Sequence, residues 1–198
     1  MIAEPMPFLS PEEYLAFEET ADVRHEYLDG EIFAMAGSSS DHASLVGNIF
    51  VVLSPFVRGQ GCRIYPQDVK AKIEEKSRYY YPDILVTCDA RDREERYVKQ
   101  HYTLIVEVLS EGTEAFDRGK KFEDYRRTES LEEYVLVAQD RVCVEVFRRK
   151  AKGRWELESY GVGDEVRLES LGARFAIEQL YIDVDIPPEP PLLSSGNV

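Results

Sequence analysis

Two short apolar runs, each carrying one carboxylate, constrain this chain most. The first reads Tyr-Pro-Asp-Ile-Leu-Val over residues 81–86, and the second reads Leu-Ile-Val-Glu-Val-Leu over 104–109. Runs of this length and β-branched content suit strands buried on both faces of a sheet. An ionised carboxylate in such a strand is costly unless a metal or a partner charge compensates it. Asp83 and Glu107 therefore both call for a cation. A helical run with Lys120, Lys121 and Tyr125 follows them. The order predicts a metal site with an ammonium group beside it.

The remaining chain reads as mixed α/β. Ser10-Pro11-Glu12-Glu13 has the form of a capping box with proline at the first helical position, and opens a helix to about Glu19. Arg24–Leu28 and Glu31–Ala36 flank Asp29-Gly30, a two-residue hairpin signal. Ser38-Ser39-Ser40 caps a second helix. Its apolar positions are Leu45, Val46, Ile49, Val52, Leu53 and Phe56, and it ends at Gly59/Gly61. Arg63–Tyr65 and Asp68–Ile73 read as strands, and Glu74–Arg78 as a charged turn. The charged connection Asp89–Gln100 is expected in solvent. Glu133–Val137, Val142–Arg148, Arg154–Tyr160 and Glu165–Leu168 read as further strands, with Lys152-Gly153 as a turn and Ile177–Tyr181 as a short terminal element.

At 198 residues, one domain over 1–186 is expected, followed by a disordered Pro/Ser/Gly-rich tail over 187–198. No apolar run approaches the length of a membrane span, and the N-terminus lacks a basic-then-apolar signal. Cys62, Cys88 and Cys143 stand in strand-like contexts without metal-ligand spacing, and read as buried reduced thiols. The expectation is a cytoplasmic protein without a membrane partner. The net charge of −14 argues against strong autonomous binding to a polyanion, because long-range repulsion opposes it.

The motifs also carry a family resemblance. Pro82-Asp83, Glu107-Val108-Leu109 and Asp117-Arg118-Gly119-Lys120-Lys121 with Tyr125 resemble a large bacterial restriction-endonuclease-like family of the Uma type. That family belongs to the PD-(D/E)XK nuclease superfamily. The likeness extends to Tyr27-Leu28-Asp29-Gly30-Glu31, Met35-Ala36-Gly37, His42, Gly61-Cys62-Arg63 and the Glu133–Val137 run, and so spans roughly residues 8–184. It implies a restriction-endonuclease-like αβββαβ core with an N-terminal helix and hairpin. Strands 142–168 would extend its sheet as an antiparallel meander. It also implies a Mg²⁺ (or Mn²⁺) site made by Asp83, Glu107 and the Val108 carbonyl, acting on DNA. The superfamily places a lysine two residues after the second carboxylate, but this chain has Leu109 there. The resemblance moves that role to Lys121, one helical turn before Tyr125.

Phosphodiester hydrolysis needs charge neutralisation at the phosphate and an activated water, and a divalent ion held by two carboxylates supplies both. Lys121 would orient the water or stabilise developing charge. Lys120 points about 100° away around the helix. Each residue also has a structural reading. Asp83 can cap a turn, and Lys121 can be an exposed residue paired with Asp117. Glu31 can be a solvated hairpin carboxylate, His42 a core or capping histidine, and Asp68 a strand-edge residue. The basic runs Arg126-Arg127 and Arg148-Arg149-Lys150 read as solvated surface. The alternative function is a catalytically silent binding or assembly module on the same fold. Two-carboxylate glycoside hydrolysis is disfavoured, because the chain shows no aromatic-lined sugar cleft. A homodimer is expected, since cutting both strands of a duplex takes two sites.

Overall fold

Residues 8–35, 37–73 and 77–187 are described by the computed structural model. Local signals place the first elements. Ser10 and Glu13 exchange side-chain-to-backbone hydrogen bonds and close a capping box on α1 (Pro11–Glu18). Asp29 and Gly30 both take positive φ, at 52° and 114°, so β1 (His25–Leu28) turns directly into antiparallel β2 (Glu31–Ala34). Ser39 caps α2 (Ser40–Val57), which buries Leu45, Val46, Ile49, Leu53 and Val57. By length and composition α2 qualifies as a membrane span, contrary to the sequence expectation. In this fold its apolar stripe is spent on the core.

Pro82 is where the chain changes sheet. β5 (Arg78–Tyr80) belongs to a five-stranded sheet ordered β2-β1-β5-β4-β7, with β4 at Lys70–Lys72 and β7 at Val98–Lys99. After Pro82, β6 (Ile84–Thr87) enters a six-stranded sheet. Its other members are β3 (Arg63–Pro66), β8 (Tyr102–Val108), β9 (Glu133–Val137), β10 (Val144–Arg149) and β11 (Trp155–Tyr160). Its order is β11-β10-β9-β8-β6-β3, parallel between β8 and β9 and antiparallel elsewhere. The expected single strand over 81–86 is thus split. Proline has no N–H for the ladder, and the backbone passes from one sheet to the other there.

Helices cover both faces of the larger sheet. Ile84, Val86, Leu104 and Val106 pack with α2. Leu85, Ile105, Leu109 and Tyr134 face the other way, toward Tyr125 and Phe122. Those two belong to a continuous helical stretch: α3 (Glu114–Phe116), a π-helical turn (Asp117–Lys121) and α4 (Phe122–Tyr125). The order α2, β3, β6, β8, helix, β9 is the expected αβββαβ core, within a mixed α/β architecture.

Several sequence expectations need correction. The 89–100 connection is largely exposed, as expected, but it is anchored at Asp92 and Lys99. Asp92 is buried and accepts from the Gln100 and His101 N–H groups at 3.0 and 3.1 Å, and buried Lys99 donates to the Asp92 carbonyl at 2.7 Å. The Asp68–Ile73 strand starts only at Lys70, because Gln67 and Asp68 turn at positive φ. The antiparallel extension comprises β10 and β11. β12 (Glu165–Leu168) instead pairs with β13 (Ala173–Ala176), a strand the sequence reading did not foresee. Cys62 and Cys88 are not buried reduced thiols. They form a disulfide, and exposed Cys88 faces Cys62 one step beyond the Arg63↔Thr87 pair. That pairing removes the thiols as an argument for a reducing compartment. The expected turn at 74–76 and the tail at 188–198 lie outside the described residues.

Candidate active site

Strand register brings the two carboxylates together. β6 and β8 pair Ile84↔Val106, so one further step sets Asp83 opposite Glu107 on the same face. The Val108 N–H donates to Asp83 Oδ2 at 2.8 Å, which ties the residue after Pro82 to the end of β8. Asp83, Glu107 and Val108 line one cavity of about 530 Å³. Across this cavity, His42 Nε2 from the first turns of α2 lies 3.4 Å from Asp83 Oδ2.

Lys121 enters from the π-helical turn. Its Nζ lies 2.9 Å from Glu107 Oε1, 3.1 Å from Glu26 Oε1 and 3.5 Å from Asp117 Oδ1. The face of Tyr80 is 5.6 Å away. The ammonium is buried, not an exposed helical lysine. Burial alone would lower its pKa, but Glu107, Glu26 and Asp117 outweigh that and hold it well above the ordinary lysine value. Glu107 is also buried, and its pKa is pushed well above the carboxylate range. Desolvation leads, opposed by Lys121 and reinforced by Asp117, Asp83 and Glu26. Burial likewise raises Asp117. Desolvation pulls the His42 pKa down, but the Asp83 carboxylate and the Val108 carbonyl more than offset it, leaving the imidazole raised. The Nδ1 of His42 is buried and has no hydrogen-bond partner among the described residues.

The second-tier residues divide. His42 joins the site. Tyr125 sits directly behind it, fully buried in the aromatic cluster, with an unpartnered hydroxyl among the described residues and a pKa raised by burial and by Glu107. Glu31 does not join. It is exposed on β2, and Glu26 on β1 supplies the hairpin's carboxylate instead. Strand alternation explains this. In His25–Leu28, His25 and Tyr27 are buried, and Glu26 takes the opposite face, toward Lys121. Asp68 is also elsewhere, mostly exposed and paired with Arg24 at 3.2 Å. Lys120 is half exposed and meets Glu123 at 3.4 Å. The Arg148-Arg149 run is structural, not solvated: Arg148 bonds Glu133 at 2.8 Å, and Arg149 donates to the carbonyls of Leu131, Arg126 and Thr128.

The donors fit a small hard cation. Glu107 Oε1 is buried, and its ion-pair contact with Lys121 lies outside hydrogen-bond geometry, so among the described residues this oxygen accepts no hydrogen bond. Among the described residues no three His, Cys, Asp or Glu side chains are arranged to hold a metal. The side chains that could share a cation here are the two facing carboxylates, Asp83 and Glu107. That suits Mg²⁺, which keeps several waters, and not zinc, which takes nitrogen and sulfur.

Comparison with known proteins agrees with the fold. The family model of Uma2, described as "Putative restriction endonuclease", matches residues 11–181. Two proteins of Synechocystis sp. (strain ATCC 27184 / PCC 6803 / Kazusa) are similar, both named as uncharacterised. The protein slr1290 is 38% identical over 177 residues, covering 89% of this chain and 93% of the relative. The protein sll1609 is 31% identical over 172 residues, covering 85% and 96%. The crystal structure of a "putative nuclease belonging to DUF820" from Anabaena variabilis ATCC 29413 superposes with a TM-score of 0.74. It covers 88% of this chain and 98% of that one at 17% identity, which establishes a shared fold. With its family-model match spanning 11–181 on this nuclease-like fold, the chain belongs to the Uma2 family of restriction-endonuclease-like proteins.

Proposed function

We propose that the protein is a metal-dependent DNA endonuclease, with Mg²⁺ (Mn²⁺ as substitute) held by Asp83, Glu107 and the Val108 carbonyl. One observation carries the reading: Asp83, Glu107 and Lys121, from three separate elements, line one cavity, with Lys121 Nζ 2.9 Å from Glu107. A bound divalent ion would neutralise phosphate charge and acidify a coordinated water. Asp83, and Glu107 once a bound cation displaces the proton that burial favours, would supply the negative charge that such an ion requires. Lys121, kept as an ammonium by three carboxylates, faces the same space and is positioned to stabilise developing negative charge. Glu26 and Asp117 fix the Lys121 ammonium on the cavity side of its helix. His42 abuts Asp83 and holds its orientation.

The net charge of −14 favours a second reading, a silent binding module on the nuclease fold. Incubation of the purified protein with supercoiled, linear and branched DNA, in Mg²⁺, Mn²⁺ or EDTA, separates the two. The nuclease reading expects cleavage with either ion and none in EDTA. Intact DNA in every condition favours the module. The homodimer belongs to the same proposal, and sedimentation as a pure monomer at micromolar protein would count against it.

A further inference from the structure

The cavity is poorly furnished for gripping a duplex. Five carboxylates line it (Glu26, Asp83, Glu107, Glu111 and Asp117), and Lys121 is the only lysine or arginine among the described residues that do. That lysine is already committed to three of the carboxylates. Duplex binding rests mainly on Lys/Arg contacts to phosphates, and among the described lining residues Lys121 alone could make one. The rim instead carries exposed apolar side chains. Phe33 and Met35 are 49% and 39% exposed, and both line the cavity.

The position of Phe33 is set by register. It pairs with Glu26 across the β1–β2 hairpin, so the two side chains leave the sheet on the same face, about 5 Å apart. Glu26 contacts Lys121, which contacts Glu107. The aromatic ring therefore stands one strand away from the cluster proposed to cut DNA. Among the described residues β2 is also the edge of its sheet, and no further strand covers Phe33 on the outer side. An exposed aromatic beside the acidic cleft is a stacking platform that an unpaired base can reach and a base held inside a duplex cannot.

We infer that the preferred substrate is single-stranded or locally unpaired DNA, with one base stacked on Phe33 while the adjacent phosphate enters the cavity. This assignment rests on the nuclease reading for the cutting step, but the stacking can be measured without cutting. Fluorescence anisotropy in Ca²⁺ would compare labelled single strands of about 20 nucleotides with an abasic strand and a duplex of the same length. Phe33→Ala is expected to lose about tenfold in affinity for the single strand. Phe33→Trp retains it, and neither variant changes duplex binding. The abasic strand binds wild type no better than the normal strand binds Phe33→Ala.

Equal single-strand affinity of wild type and Phe33→Ala overturns the inference. So does an equal loss on duplex, or a Phe33→Ala variant whose main defect is a changed sedimentation profile, which would make β2 a protein interface. If wild type cuts DNA and Phe33→Ala behaves like it, stacking fails and the nuclease reading stands. If wild type binds single strands through Phe33 but cuts nothing in Mg²⁺ or Mn²⁺, the nuclease reading fails and the stacking site stands. Neither binding nor cutting overturns both.

Discussion

Lys121 Nζ and Glu107 Oε1 lie 2.9 Å apart, although one belongs to a π-helical turn and the other to the central strand β8. The contact restores what Leu109 removes from the strand, a cation beside the second carboxylate. Lys121→Ala is expected to slow cleavage by about 10²–10³-fold. From sequence alone the same change should barely affect the fold, as for an exposed helical lysine. Burial reverses that expectation. Three carboxylates lose their shared cation, and breaking a buried pair costs about 3–5 kcal/mol. Thermal unfolding should therefore show a large drop for Lys121→Ala and almost none for Lys120→Ala, whose side chain is half exposed. Equal effects of the two substitutions would mean that the helix register is wrong.

Glu26 and Glu31 offer a matched pair on one hairpin. Glu26→Gln removes a charge 3.1 Å from Lys121, whereas Glu31 points to solvent. Cleavage should fall about 10–100-fold for Glu26→Gln, the usual cost of losing a supporting contact at a metal site. Glu31→Gln should leave the rate unchanged. A reversed ranking in the cleavage assay would restore Glu31 to the site.

The core was legible in the sequence because its signals are local. Alternating faces in Leu104–Val108, the capping box at Ser10 and the Asp29-Gly30 turn each dictate structure within a few residues. Asp83, Glu107 and Lys121 were legible as candidates because a charge amid apolar neighbours, or in a motif, stands out. Glu26 was not, since only the partner strand and a helix some hundred residues later give its face a meaning. The period-2 burial of His25 and Tyr27 was the available signal. The π-helical turn was also hidden: Asp117 and Lys121 read as ordinary i,i+4 neighbours, and π turns carry no strong sequence mark. The Cys62–Cys88 pair needed the β3–β6 register, which no spacing rule supplies.

The raised pKa of Glu107 has a consequence for stability. Its folded value lies above 4.5, mainly because of burial, so the native state holds this proton more tightly than the unfolded chain. The stability tied to that proton is present below the unfolded value and is lost as pH climbs toward the folded one. In EDTA, the wild-type unfolding midpoint should thus fall more steeply as pH rises above the ordinary carboxylate range than that of Glu107→Gln, which cannot ionise. Parallel slopes for the two proteins would count against a buried, charge-strained Glu107.

The disulfide closes a loop between positions separated by 26 residues. On the chain-entropy account, removing it should cost about 3.5 kcal/mol. The Cys62→Ser/Cys88→Ser double variant should unfold at a lower denaturant concentration than the oxidised wild type, and a reductant should lower the wild-type midpoint similarly. Cleavage should persist, because Cys88 follows β6 at the end opposite Asp83. A midpoint insensitive to both treatments would show that the link adds nothing to the fold.

The most direct measurement is a calorimetric titration of Mn²⁺ into the wild type, Asp83→Asn and Glu107→Gln, each first shown to be folded. The cavity geometry predicts one Mn²⁺ per wild-type chain, and loss of most of that binding in either variant. Saturable binding that survives both substitutions unchanged, or no binding to the wild type at all, would contradict a metal centre built on Asp83 and Glu107.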